Sequence, residues 1–498
     1  MKLNYKRIIL VGFAFFLIQA FWQAYDNTIP LILTNKFGMS QAWSGAIMAL
    51  DNVLALFMLP LFGAISDKHH SKWGRRTPFI VVGTLIAAVM LIALSFVDNA
   101  QLHHISDVAA IDDPAALETI YDREADETLL TPGGQKFVLS RQFTKEEFTQ
   151  IRSQITVDGA AVTNPDYTNY VMPARQACAW DALLLVILVS MAVFRSPAVA
   201  LMPDVTLKPL RSKANAVINL MGSAGGILVL VLGMVFATSA VRNSLMNYIG
   251  YFAVIAAIML AALVVFMLTV RENEWAAEMQ QQSVELGLED KEEAATGERK
   301  LSVDEVKSLI FLLLSIVLWF FGYNAVTSKY SVYASNILHK DYNLTLIIAQ
   351  AAAIISYLPV GFIASRVGRK KTILAGVIML TAAFTTASFM SAESPTMLMN
   401  AMFALAGIAW ATINVNSFPM VVEMCSGGNV GKYTGSMAAQ VATPMLSGLL
   451  MDRMGMHVLF PYAAVFTALA FVTMLFVRHG DSKPEAKWGL EALDEMED

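Results

Sequence analysis

Stretches of about twenty apolar residues alternate with short polar turns along nearly the whole chain. A helix needs roughly 20 apolar residues to cross a hydrocarbon core. Runs of that kind fall at about 8–33, 42–65, 78–97, 180–202, 214–238 and 246–270, and again at about 308–328, 343–364, 372–391, 396–422, 433–451 and 457–477. The first run follows MKLNYKR; it is too long for the apolar core of a signal peptide and lacks a small-residue cleavage site, so it reads as a retained helix 1. Between the two sets of six lies Arg271 to Lys307, containing QQQSVELGLEDKEEAATGERK, too charged to enter lipid or build a core. The pattern predicts an all-α membrane protein of twelve transmembrane helices in two six-helix halves. Its expected parts are an N-terminal half at 1–270 with an insertion at 98–179, a linker at 271–307, a C-terminal half at 308–478 and a tail at 479–498.

Composition agrees with that pattern. Of 498 residues, 56% are hydrophobic and only 15% charged, against roughly 25% charged in soluble domains. A net charge of −5 offers no basic footprint for nucleic acid. Two cysteines, Cys178 and Cys425, exclude a disulfide framework or a cysteine metal site, and they fall on opposite sides of the predicted membrane. No GxxxxGK[ST] phosphate loop, GxSxG elbow or HExxH helix occurs. His69-His70 and His103-His104 are loop pairs without a third ligand. Neither enzymatic chemistry, nucleotide hydrolysis, a cofactor nor a metal is expected.

Lysine and arginine in the short loops set the orientation. With the N-terminus cytoplasmic, that face collects Lys2, Lys6, Arg7, Lys68, Lys72, Arg75, Arg76, Lys208, Arg211, Lys213, Arg366, Arg369, Lys370, Lys371 and Lys432, against Lys36, Arg242, Lys329, Lys340 and Arg453 opposite. Both termini are therefore expected inside an inner or plasma membrane, and the insertion outside.

The halves repeat each other. Tyr25-Asp26 matches Tyr323-Asn324, and Gly63 matches Gly361, both at an offset of 298; Asp204 matches Glu423 and Lys213 matches Lys432 at 219. The offsets differ by 79, close to the length of the insertion, where the second half has only about Ser391 to Thr396. A single insertion explains both values. It is acidic (Asp112, Asp113, Glu118, Asp122, Glu124, Asp126, Glu127), and FVLSRQFTKEEFTQI within it predicts a strand and then a helix, with Thr144 and Glu147 spaced as a capping box.

Helix 2 ends in Gly63-Ala-Ile-Ser-Asp67-Lys-His-His-Ser-Lys-Trp-Gly74-Arg75-Arg76, and helix 8 in Gly361-Phe-Ile-Ala-Ser-Arg-Val-Gly368-Arg369-Lys370-Lys371. Gly63 and Gly361 would permit close helix approach, Gly74 and Gly368 a tight turn, and the cations would anchor the loops at anionic headgroups of the bilayer. These paired loops resemble the G-x-x-x-D-[RK]-x-G-[RK]-[RK] motif of the major facilitator superfamily. SDKHHSKWGRRTPF, RSPAVALMPDV with RSKANAVINLMGSAGG, and GSMAAQVATPMLSGLLMD are similar to the glycoside-pentoside-hexuronide:cation symporters and the related sucrose/proton symporter-like carriers. The resemblance implies the major facilitator fold, a cytoplasmic latch including Asp67, Arg75 and Arg76, and a cavity lined by helices 1, 4, 7 and 10. Melibiose-type sodium symporters carry aspartates where this chain has Ala55 and Leu59; that departure favours protons over sodium.

A charge inside hydrocarbon costs about 2.5–3.5 kcal/mol on translocon scales, so each one invites a functional reading. Asp26 in helix 1, Asp51 in helix 2 and Arg195 in helix 4 are the candidates for proton coupling, the acids as carriers and the arginine as fixed cation. Sugar recognition needs flat apolar faces and amide or carboxylate hydrogen bonds. Helix 1 supplies Gln19, Trp22, Gln23, Tyr25 and Asn27; helix 7 Trp319, Tyr323 and Asn324; helix 10 Trp410, Asn414 and Asn416; helices 5 and 11 add Asn219 and Gln440. The expected function is proton-coupled uptake of a glycoside or disaccharide by a monomer. Two alternatives stay open: a drug or metabolite/proton antiporter, whose adaptable cavity the 28 methionines could line, and a transporter-like sensor using the insertion.

Overall fold

The computed structural model describes residues 3–37, 39–104, short stretches between 118 and 162, and 178–207, 210–239, 246–286, 302–424 and 435–479. Among these, the long apolar helices are α1 (Tyr5–Leu31), α2 (Gln41–Lys68), α3 (Thr77–His104), α4 (Cys178–Asp204), α5 (Arg211–Val235), α6 (Ile249–Thr269), α7 (Val303–Tyr333), α8 (Tyr342–Val367), α9 (Arg369–Ala387), α10 (Thr396–Met424), α11 (Gly435–Met454) and α12 (Leu459–Leu475). Ten of the described helices are long and apolar enough to cross a membrane, and α8 contains a shorter apolar stretch, Tyr342–Tyr357.

The repeat is visible in the backbone. α1 widens at its end into a π-helical turn, Ile32–Lys36, and α7 does the same at Ala334–Leu338. Each half also has its own apolar core. One is built from α1, α3, α4 and α6; the other from α7, α9, α10 and α12, joined across the boundary by Leu31 of α1.

Three charges placed in loops by the sequence reading, Lys36, Asp98 and Lys329, are in fact buried. Lys36 and Asp98 form an ion pair at 2.6 Å with neither side chain exposed. Lys36 Nζ also donates to the Met246 carbonyl at 2.8 Å and lies 4.7 Å from the Tyr248 ring centre. Asp98 therefore belongs to α3, which runs to His104, and not to an insertion beginning at 98. The insertion's described parts hold two short antiparallel pairs, β1 (Thr128–Leu130) with β2 (Lys136–Val138) and β3 (Ile155–Val157) with β4 (Ala160–Val162). Helices Leu139–Gln142 and Lys145–Gln150 follow β2, in the expected order of strand then helix.

The other misplaced charge is Lys329. It is fully buried in α7 and donates across the halves to the Gln41 carbonyl at 2.7 Å. The Gln41 and Ala42 N–H groups that open α2 donate in turn to the Asp452 carboxylate of α11 at 2.7 and 2.8 Å. A carboxylate at a helix N-terminus meets both unpaired N–H groups and the positive end of the dipole. Glycines let these helices touch. A Cβ on Gly45 would stand 2.0 Å from the Pro444 oxygen, and one on Gly448 2.2 Å from the Gln41 oxygen. α5 and α8 add Thr238 Oγ1 with the Tyr342 hydroxyl at 2.7 Å and Asn343 Nδ2 donating to Thr238 Oγ1 at 3.2 Å. All of these bonds join the halves on the membrane face that carries the insertion.

The predicted close approach at Gly361 is not found. Nothing lies within 4 Å of a Cβ built there, whereas one on Gly63 would meet Ser196 Oγ at 3.0 Å.

Removing one partner of a buried ion pair leaves an uncompensated charge, worth about 3–5 kcal/mol. Lys36→Met should therefore lower the thermal unfolding temperature of the purified protein well below that of the double variant Lys36→Met/Asp98→Leu. Equal losses in the two, measured by scanning fluorimetry, would show that the pair contributes no such coupling.

Candidate functional site

Helical periodicity sets Gln19, Trp22, Gln23 and Asp26 along one face of α1, at i, i+3, i+4 and i+7. α2 contributes Asp51 and α4 contributes Arg195. The Arg195 guanidinium lies over the Trp22 ring, 5.4 Å from its centre, and its charge reaches both Asp51 and Asp26. The two carboxyls also feel each other. Asn52 Nδ2 donates to Asp51 Oδ1 at 2.7 Å. The three charges picked out from the sequence thus form one cluster.

The second half faces this cluster with aromatic surface. Tyr323 of α7 and Trp410 of α10 stack almost parallel, ring centres 3.6 Å apart at 3°, with Phe320 edge-on to Trp410 at 5.5 Å. Tyr323 lies within electrostatic reach of Asp26. Asn414 is exposed and bonds to the Tyr357 hydroxyl of α8. A flat ring pair with amide and hydroxyl groups around it can hold the C–H face of a sugar and hydrogen-bond its hydroxyls.

Several expected site residues sit elsewhere. Trp319 is 1% exposed and packs in the core of the second half. Asn27 and Asn416 are buried, and their amides donate to carbonyls of their own helices, Gln23 at 2.8 Å and Thr412 at 2.9 Å. Asn219 is exposed but donates likewise to Asn215 at 2.8 Å. Gln19 is exposed against α5, where a Cβ on Gly222 would stand 2.9 Å from its Cγ. Tyr25, by contrast, stays within electrostatic reach of Asp51 and Asp26, its ring buried and stacked on Phe21 at 5.9 Å, and Asn324 is partly buried. The Gln440 and Glu423 side chains, together with Cys425 and Lys432, lie outside the described residues.

Sequence reasoning missed Gln350 of α8, whose Nε2 donates to Gln23 Oε1 at 2.5 Å. The repeat held a signal for it, since the offset of 298 sets Gln350 against Asn52. Tyr357 was missed as well; no pattern in an apolar helix distinguished it.

At the terminus side the loop between α2 and α3 forms a compact charged knot. The Arg76 guanidinium donates to Asp204 at 2.9 Å, to Ser66 Oγ at 2.6 Å and to Asp67. Arg75 pairs with Asp204 at 3.2 Å. The knot thus ties α2, the loop and the end of α4 together, within one half. It is completed by a residue assigned to the linker. Glu272 is 3% exposed and accepts from the N–H groups of Arg75, Arg76 and Thr77 at 2.6, 2.8 and 2.8 Å and from Thr77 Oγ1 at 2.7 Å. Gly74, at φ +120°, leaves the room: a Cβ there would lie 2.1 Å from Glu272 Oε2. Glu272 opens a helix, Glu272–Glu285, so the linker does contribute to a core, against expectation. Trp275 joins the first half's core and stacks under Arg7 at 5.2 Å, while Arg7 pairs with Glu278 at 2.6 Å. In the second half Gly368 makes the turn at φ +99°, and Lys370 donates to the Leu475 carbonyl at 2.9 Å, a cation at the end of α12.

A family model described as Major Facilitator Superfamily matches residues 179–439 and 341–494. The chain belongs to the major facilitator superfamily. It is accordingly a multi-pass membrane protein. A second model, described as MFS/sugar transport protein, matches residues 10–103 of this facilitator. Among curated proteins, the sucrose transport proteins SUC3 and SUC4 of Arabidopsis thaliana are 39% identical over 67 residues and 36% over 59. Those stretches cover 14% and 12% of this chain and 11% and 12% of the plant proteins. Among solved structures, the inward-open xylose transporter XylE from E. coli matches with a TM-score of 0.60 at 15% identity, over 99% of this chain and 100% of that one. A bacterial homologue of the human drug peptide transporters PepT1 and PepT2 matches at 0.59 and 10%, over 99% of each. At such identities these likenesses show the fold alone.

The Glu272 cap is open to direct test. Capping substitutions of this kind cost about 1–2 kcal/mol. Glu272→Ala should lower the unfolding temperature and speed backbone hydrogen exchange at Arg75, Arg76 and Thr77. Unchanged exchange there would mean that the carboxylate does not hold the loop in solution.

Proposed function

We propose that this facilitator is a secondary active transporter that carries a glycoside or disaccharide together with a proton by alternating access. The observation that carries the reading is the cluster of two carboxyls and one guanidinium within the helices, with Tyr323 of the Tyr323–Trp410 stack in electrostatic reach of Asp26. Two carboxylates facing one guanidinium leave one negative charge unmatched in low-dielectric surroundings, and binding a single proton removes it. Asp26 is the first choice of coupling acid, since it lies within electrostatic reach of both Tyr323 and Arg195, and Asp51 is the second. The sucrose transport proteins and the model named for sugar transport support a sugar as cargo. Ala55 and Leu59, at the positions where melibiose-type carriers hold sodium-site aspartates, support the proton.

The basic residues gathered at the loop between α2 and α3 support a cytoplasmic location for that face, with both termini inside a cell membrane. The insertion then lies outside, and the helix Glu272–Glu285 begins a cytoplasmic linker. The bonds that join the halves on the insertion side support reading this as an inward-facing state. Transport follows by exchange of that closed face for its mirror. The proton adds to a carboxylate oxygen from outside, the sugar binds against the rings, the halves rock, and both leave inside. One protomer contains the whole cluster, which supports a working monomer in the bilayer.

Uptake of labelled mono- and disaccharides by proteoliposomes under imposed pH or sodium gradients tests this directly. A pH gradient, acidic outside, should drive accumulation, and Asp26→Asn should abolish accumulation while leaving sugar exchange across the membrane intact. Accumulation driven by sodium alone, or undiminished in Asp26→Asn, would overturn the assignment.

A further inference from the structure

The cross-half bond nearest the charged cluster is the amide pair Gln350–Gln23. Two primary amides facing each other can close a ring of two hydrogen bonds, each amide giving one donor and one acceptor. Here only half of that ring is made. Gln350 Nε2 donates to Gln23 Oε1 at 2.5 Å, whereas Gln350 Oε1 is buried with no hydrogen-bond partner among the described residues. Gly226 of α5 keeps the approach clear, since a Cβ there would stand 3.2 Å from Gln23 Oε1 and 3.4 Å from Gln350 Oε1.

The amide pair does not stand alone. Trp22 Nε1 and the Tyr25 hydroxyl, one residue before and two after Gln23, are also buried without partners among the described residues. An unmatched buried polar atom costs about 1–3 kcal/mol. Gln350 lies in the apolar sequence LTLIIAQAAAIISYL, where leucine or methionine would pack at no such cost. The Gln350 oxygen sits at the open side of a half-made amide ring, where a polar ligand would satisfy it.

We propose that Gln350, with Gln23, is a specificity-determining contact for the transported sugar. One sugar hydroxyl enters the open half of the amide ring, donating to Gln350 Oε1 and accepting from Gln23 Nε2. A hydroxyl is the group that does both through one atom. Because the pair spans α1 and α8, the same contact ties substrate binding to the closing of the halves. The inference rests on the sugar reading above and names the residues that read the hydroxyl.

The test uses the full-length protein in proteoliposomes, with labelled sucrose, maltose and melibiose and the monodeoxy analogues of each. In the unaltered protein one analogue should show a KM about tenfold above its parent sugar, the loss expected for one buried hydrogen bond. In Gln350→Leu the parent's KM should rise to the analogue's, the gap should vanish and the maximal rate should stay within about twofold. Gln23→Leu should do the same, and the double variant should add nothing further. Where Gln350→Leu does not fold, Gln350→Met, with a similar side-chain volume, takes its place. A fall in maximal rate with KM unchanged, or a gap that persists in the variants, would make the pair a structural clasp and overturn the assignment alone. Uptake of no sugar by the unaltered protein would overturn both the assignment and the sugar reading.

Discussion

A charge in hydrocarbon must find a partner, and that constraint organises this molecule. Each buried cation lies where an anion or a carbonyl can meet it. Lys36 meets Asp98 inside the first half. Lys329 meets the Gln41 carbonyl across the halves, close to the Asp452 carboxylate that caps α2. Arg76, buried at the terminus side, is shared between Asp67 and Asp204. Each of these arrangements is matched, and each is structural. The cluster of Asp26, Asp51 and Arg195 differs because its acids outnumber its cation, and on the proposed reading a proton balances the remaining charge.

The same constraint accounts for how the halves meet. The first half is a unit, held by the Lys36–Asp98 pair near the insertion side and by the Arg76 knot with its Glu272 cap at the other. The hydrogen bonds described between the halves run to backbone ends and polar side chains, including the Gln350–Gln23 amides, and α2 and α11 pack closely through Gly45 and Gly448. None needs an apolar core to be torn open, because each half keeps its own.

The helices were legible in the sequence because a spanning helix announces itself by length and hydropathy, and the halves because a repeat survives an insertion as a change of offset. Asp26, Asp51 and Arg195 were legible for a similar reason, each standing out against an apolar run. Three kinds of feature were not. Asp98 and Lys329 read as loop charges because helix ends and charge burial depend on tertiary partners. Trp319, Asn27 and Asn416 read as site residues because residue type does not report which face of a helix it occupies. Glu272 read as linker because a carboxylate that caps another helix, nearly 200 residues back, leaves no local pattern. Gln350 lay between these cases, marked by the repeat but silent without its partner Gln23.

Coupling at the cluster of Asp26, Asp51 and Arg195 is the central claim, and the proton itself is its most direct reporter. Sugar added to de-energised proteoliposomes in lightly buffered medium should make the external pH rise as protons enter with the sugar, and the rise should vanish when a protonophore is present. Sugar entry with no change in external pH would contradict the claim that the unmatched carboxylate carries a proton.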